Sequence, residues 1–145
     1  MPTKSTTRKA KADLRAGKRP STAAGEFVRE EMEHIREGKH GARSSKQAIA
    51  IGLSKARRAG VPLAPPKKGT TSARTRRSAQ RDAEVGQGKR KPRAPSRRRS
   101  AAAKGALKRE GRAAASKRSL SAQAKRAARR RGAGARRKSA ASRRR

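Results

Sequence analysis

The two histidines, His34 and His40, have the widest chemical reach of any residues in this sequence. Glu30, His34 and Glu37 follow one another at spacings of four and three. On a helix this places two carboxylates and an imidazole on one face, a set that can share a zinc ion. Pairing between Glu30 and His34 on an exposed helix surface accounts for the same residues without an ion, so no metal and no cofactor are expected. Two histidines support no Ser/His/Asp arrangement. The stretch Gly41 to Lys46, GARSSK, is not a phosphate loop, because it lacks the Gly-Lys-Ser/Thr ending and a preceding strand. With no cysteine anywhere, disulfides, thiolate catalysis and Cys-type zinc sites are excluded together. No enzyme signature and no small-molecule substrate is indicated, and the chain reads as nonenzymatic.

The abundant chemistry is cationic. Forty-five lysines and arginines stand against nine acids, a net charge of +36. Residues 61–145 hold thirty of the basic residues and three of the acids, net +27. Charge at this density is the footprint of a polyanion partner, because each phosphate neutralised releases condensed counterions and gives affinity without base reading. The candidate phosphate-binding residues come in runs. The first are Arg74, Arg76 and Arg77, then Lys89, Arg90, Lys91 and Arg93, then Arg97, Arg98 and Arg99. Lys125 and Arg126 follow, then Arg129, Arg130 and Arg131, then Arg136, Arg137 and Lys138, and finally Arg143, Arg144 and Arg145. Single-strand readers stack bases on aromatic side chains. Phe27 is the one residue of that kind, with no tyrosine or tryptophan. Duplex DNA is therefore favoured as partner, with structured RNA as the other candidate. Arginine exceeds lysine in these runs, which suits forked phosphate contacts and minor-groove insertion.

Two finer motifs lie within this charge. Lys89 to Pro95, KRKPRAP, is reminiscent of a minor-groove hook, but the Gly-Arg-Pro centre of such hooks occurs nowhere in the chain. Ser78, Ser100 and Ser139 follow basic residues, and a phosphate there would remove about 1.5–2 charges locally. Both are read as basic linker and spacer serines.

A helical hairpin must position this charge. Phe27, Val28, Met32 and Ile35 recur at helical spacing in an acid-rich stretch, Glu26 to Glu37, that Ser21 or Thr22 could cap and Gly38 ends. After a short turn comes Ser44 to Gly60, SSKQAIAIGLSKARRAG. Ser44 or Ser45 is its cap, Gly60 its stop, and Pro62 bars continuation. Ala48, Ile49, Gly52, Leu53 and Ala56 form a small apolar face. The helix-packing set is thus Phe27, Val28, Met32, Ile35, Ile49, Gly52, Leu53 and Ala56.

Outside the hairpin, low hydrophobicity with high net charge predicts a chain that cannot offset its ordering entropy. The fold class expected is mostly disordered with a small all-α element. Residues 1–20 read as a disordered basic arm, 21–63 as the hairpin and 64–100 as a disordered Pro/Gly/Ser-rich basic linker. Residues 101–131 read as conditional helices and 132–145 as a disordered basic tail. The conditional helices run from Ala101 to Glu110 and from Leu120 to Arg131, the second capped by Ser119 and ended by Gly132. Like-charge repulsion opposes both until phosphates relieve it. With so few large apolar residues the hairpin is expected to be marginal alone, and to firm up as a homodimer or on a helical protein partner. No membrane span and no secretory signal is expected.

Lys46 to Gly60, KQAIAIGLSKARRAG, resembles the hallmark of a family of small basic bacterial proteins of unknown function. The upstream acids Glu26 to Glu37 and the turn Gly38-Lys39-His40-Gly41 follow the same order. The resemblance spans about residues 24–63 and implies no catalytic residue. Residues 67–145 are similar in composition to linker-histone tails and to bacterial histone-like basic tails. The function expected is sequence-independent nucleic-acid binding by phosphate neutralisation, with histone-like compaction and a cytoplasmic, nucleoid-associated location. The alternative is a protein-interaction module using Ser44–Gly60, with the tail localising it to RNA, ribosome or DNA.

Overall fold

The computed structural model describes residues 2–142, with side chains described for residues 2–132. Six α-helices follow in order: α1 Lys4–Arg15, α2 Pro20–Arg36, α3 Ser45–Arg58, α4 Ala73–Gly86, α5 Arg97–Arg109 and α6 Lys117–Ser142. A tight 3-10 turn, Ala113–Ala115, sits between the last two.

The hairpin of α2 and α3 lies at the centre. Neither Ser21 nor Thr22 caps α2: Arg19 stands at the cap without a side-chain hydrogen bond, and Pro20 occupies the first turn, where a missing N–H costs nothing. It ends in a Schellman motif, with Lys39 N–H bonded to His34 O at 3.0 Å and Gly38 N–H to Ile35 O at 3.1 Å. Gly38 takes φ +78°, a conformation in which a Cβ is strained. Ser44 caps α3 through Gln47 N–H, and Gly60 follows its end at φ +90°. The two helices approach most closely at Gly52. A Cβ there would lie 2.7 Å from Val28 Cα.

Two apolar clusters flank this crossing. In the first, Phe27, Ala23 and Ala24 of α2 meet Ala10 and Leu14 of α1, Leu53 and Ala56 of α3, and then Val61 and Leu63. In the second, Met32, Ile35 and Val28 of α2 meet Ala48 and Ile49 of α3, Ala42 of the turn, Ala114 and Ala115, and Leu120 of α6. The tail's alanines thus complete the core of the hairpin. Arg36 Nε donates to Ala115 O at 3.1 Å. Ser45 Oγ donates to Ala114 O at 2.6 Å and lies 2.6 Å from Ser119 Oγ. Gly41 N–H reaches Leu107 O at 2.8 Å and Ala42 N–H reaches Gly111 O at 3.2 Å. α4 docks on α3 through Ala79 and Ala83 and through Asp82, which accepts from Ser54 Oγ and from Arg58 Nε.

The expectation of a mostly disordered chain is overturned, since 68% of the chain is helical. The stretch read as a basic arm contains α1, capped by Thr3. The stretch read as a linker contains α4, capped by Ser72, and the start of α5, capped by Ser96. The stretches read as conditional helices are helical, and α6 starts after Ser116 rather than Ser119 and runs through Gly132. The physical reason is the weight given to large side chains alone. Alanine loses no side-chain entropy on burial, and alanine and glycine let helix axes approach. Among the described residues, ten of the fourteen buried hydrophobic residues are alanines, so a core assembles that a count of leucine, isoleucine and phenylalanine does not register. Neither α5 nor the described side chains of α6 include a fully buried residue. No helix among the described residues is long and apolar enough to cross a membrane.

Candidate functional site

The basic residues singled out from the sequence stand on the surface. Arg74, Arg76 and Arg77 of α4, the run Lys89, Arg90, Lys91 and Arg93, and Arg97, Arg98 and Arg99 of α5 are all exposed, as are Lys125, Arg126, Arg129, Arg130 and Arg131 of α6. The side chains of Arg136, Arg137 and Lys138, and Arg143, Arg144 and Arg145 altogether, lie outside the described residues, as does the side chain of Ser139. Ser78 and Ser100 are half-buried. The cations do not form one patch. They occupy three helices and the segments between them.

Most of the acids are spent on pairs within the chain. Asp13 pairs with Lys18, Glu26 with Arg29, Glu37 with Lys39, Asp82 with Arg58, Glu84 with Arg90 and Glu110 with Arg43. Glu31 pairs with Lys55, and Glu30 accepts from Thr3 N–H. Seven of the nine acids are thus answered by seven lysines and arginines. Contact with Asp13 raises the Lys18 ammonium above its usual value, and contact with Lys39 lowers the Glu37 carboxyl. Arg57 is withdrawn from the surface. It is buried, donates to Leu63 O and Ala64 O, and is held below its ordinary value by that burial.

Two hollows concentrate the unanswered charge. One, about 280 Å³, is lined by Lys46 of α3 with Gln123, Arg126, Ala127 and Arg130 of α6. Gln123, Arg126 and Arg130 share one face of α6 at three- and four-residue spacing. The other, open and about 460 Å³, is lined by Arg36, Arg112, Ala115, Ser116 and Lys117. Sequence reasoning did not single out Lys46, Arg36, Arg112 or Lys117. Their signal depends on the tail docking against the hairpin, which no local pattern announces.

Beneath this surface lies a polar cluster at the C-terminal end of α2. Glu31 is fully buried. One of its oxygens accepts from Lys55 Nζ, and the other, Oε1, lies 3.3 Å from His40 Nε2 without hydrogen-bond geometry. Glu30 Oε1 accepts from Thr3 N–H at 2.8 Å and lies 3.8 Å from His34 Nε2, while Glu30 Oε2 has no partner among the described residues. The two imidazoles meet edge to face at 6.3 Å. Burial, aided by Lys39 and Lys55, holds His34 below its ordinary value. The expected trio of Glu30, His34 and Glu37 is not assembled: Glu37 is exposed, and His40 arrives in its place because the turn folds back along α2. The helix-packing residues Phe27, Met32, Ile35, Gly52 and Ala56 are buried, and Val28, Ile49 and Leu53 are half-buried.

Residues 4–68 match a family of unknown function (DUF6496). The match supports the resemblance drawn from the hairpin and extends it through α1 to the segment after α3. No curated protein and no solved structure matches the chain.

Proposed function

We propose that this chain, whose residues 4–68 carry a family fold without an assigned role, is a nonenzymatic, sequence-independent nucleic-acid-binding protein that neutralises the phosphates of duplex DNA. The observation that carries this reading is the internal use of the acids. With seven of nine carboxylates paired to lysine or arginine within the chain, the exposed arginine runs of α4, α5 and α6 meet almost no competing anion. Preformed helices strengthen the reading, because the cations need little further ordering on binding. α6 extends about 39 Å at 1.5 Å per residue, long enough to lie along many phosphates. Phe27, the single aromatic ring of the Phe/Tyr/Trp class, is buried in the core, which leaves no platform for stacking unpaired bases. Docking of a partner helix on α3 gains no support, since Ala48, Gly52 and Ala56 are covered from within the chain.

The test is a salt titration of binding to random-sequence duplex DNA. A steep linear fall of log affinity with log salt is expected, at about 0.9 per phosphate neutralised. No binding at low salt, or a slope near zero, sinks the reading. Competition between duplex DNA and structured RNA of equal length then identifies the preferred partner.

A further inference from the structure

We propose that Glu31, His34 and His40 form a binding site for a divalent transition metal of the zinc type. Each offers one ligand atom, and the three atoms lie within 4.8 Å of one another. Glu31 and His34 are one turn apart on α2. His40 is brought to them by the Schellman turn at Gly38 and held there by the Gly41 N–H bond to Leu107 O.

The buried end of the cluster suits a cation. His40 Nδ1 donates to Gly41 O at 3.1 Å, because a carbonyl only accepts, and His40 Nε2 lies 3.3 Å from Glu31 Oε1. Oε1 has no hydrogen-bond partner among the described residues although its side chain is only 1% exposed. A buried unpaired carboxylate oxygen is costly. Lys55 answers only the second oxygen of Glu31. A metal ion held by Oε1 and the two imidazoles satisfies the oxygen that Lys55 leaves.

The donor set selects the class of ion. Two imidazoles and a carboxylate suit zinc and its borderline neighbours, whereas calcium and magnesium require oxygen donors throughout. A tetrahedral zinc at about 2.0–2.1 Å from each ligand draws the three atoms closer than they now stand. Both imidazoles sit at the rim, 18% and 19% exposed. Glu30, 3.8 Å from His34 Nε2, is placed to orient that ring as an outer carboxylate. The site is independent of the phosphate-binding surface.

The experiment is calorimetric titration of zinc chloride into the untagged full-length chain, with nitrogen-15 spectra of its imidazoles recorded in parallel. The chain has only two histidines, so both signals are assignable from the wild-type protein and from one variant. One zinc per chain is expected, with both imidazoles shifting at the first equivalent. His34→Gln and His40→Gln each weaken uptake at least tenfold, with helical content retained. Absence of uptake, affinity unchanged in both variants, or zinc that shifts neither imidazole in the wild-type protein overturns the site.

Discussion

At the scale of the residue, Glu31 is the most exacting position in the molecule. A fully buried carboxylate is tolerated because Lys55, one helix away, brings its ammonium to it. Breaking such a pair costs more than never having it, since one charge is left without compensation. Lys55→Ala is expected to destabilise the fold by about 3–5 kcal/mol, measured by urea unfolding with chelator present. The double variant Glu31→Leu/Lys55→Leu should recover most of that loss. If it does not, the pair is not the source of the cost. Little of this was legible beforehand. The spacing of Glu30 and His34 was visible, but which carboxylate goes inward depends on where α3 crosses, and His40 reaches the cluster only because the turn reverses along α2.

At the scale of the element, the two helices with large apolar residues at helical spacing, α2 and α3, were legible together with their stops. α1, α4 and the Ala113–Ala115 turn were not, and α5 and α6 were legible only as helices conditional on binding. The capping residues Thr3, Ser72, Ser96 and Ser116 of α1, α4, α5 and α6 are ordinary helix starts, but charge repulsion and the scarcity of large side chains argue against helix there. What holds α1 and α4 is alanine: Ala10 in one, Ala79 and Ala83 in the other. Such contacts carry no periodic signal distinct from alanine's general abundance here. The α2–α3 crossing depends on the missing side chain at Gly52. Gly52→Ala should lower stability, because overpacking against the Val28 backbone costs about 1–3 kcal/mol and outweighs the ~1 kcal/mol alanine brings by helix propensity. Gly105→Ala on α5 meets only the flexible end of Arg109 at 3.6 Å and should raise stability by up to ~1 kcal/mol. Thermal melting of the two variants in opposite directions checks the crossing.

At the scale of the whole molecule, the distribution of charge was legible and its physical state was not. The net charge of +36 favours extension, yet 68% of the chain is helical. Circular dichroism of the free protein at physiological salt should therefore show a mainly helical chain. A random-coil spectrum that turns helical only with added DNA contradicts the fold. The triple variant Arg126→Gln/Arg129→Gln/Arg130→Gln removes three exposed cations of α6. It should reduce the salt slope of DNA binding by about 2–3 while leaving helical content intact. An unchanged slope assigns the contacts to α4 and α5 instead.

The tight turn at Ala113–Ala115 also sets a timetable. As the chain is synthesised, α2 and α3 emerge with the Met32 and Ile35 side of their core uncovered. The whole stretch from Val61 to Ala113 must follow before Ala114, Ala115 and Leu120 arrive to close it. At common rates of translation that interval is on the order of 3–10 s. For that time the nascent hairpin presents an apolar surface to the cell. The C-terminal half, so rich in charge, is also the cover that ends this exposure, and a truncated chain never acquires it.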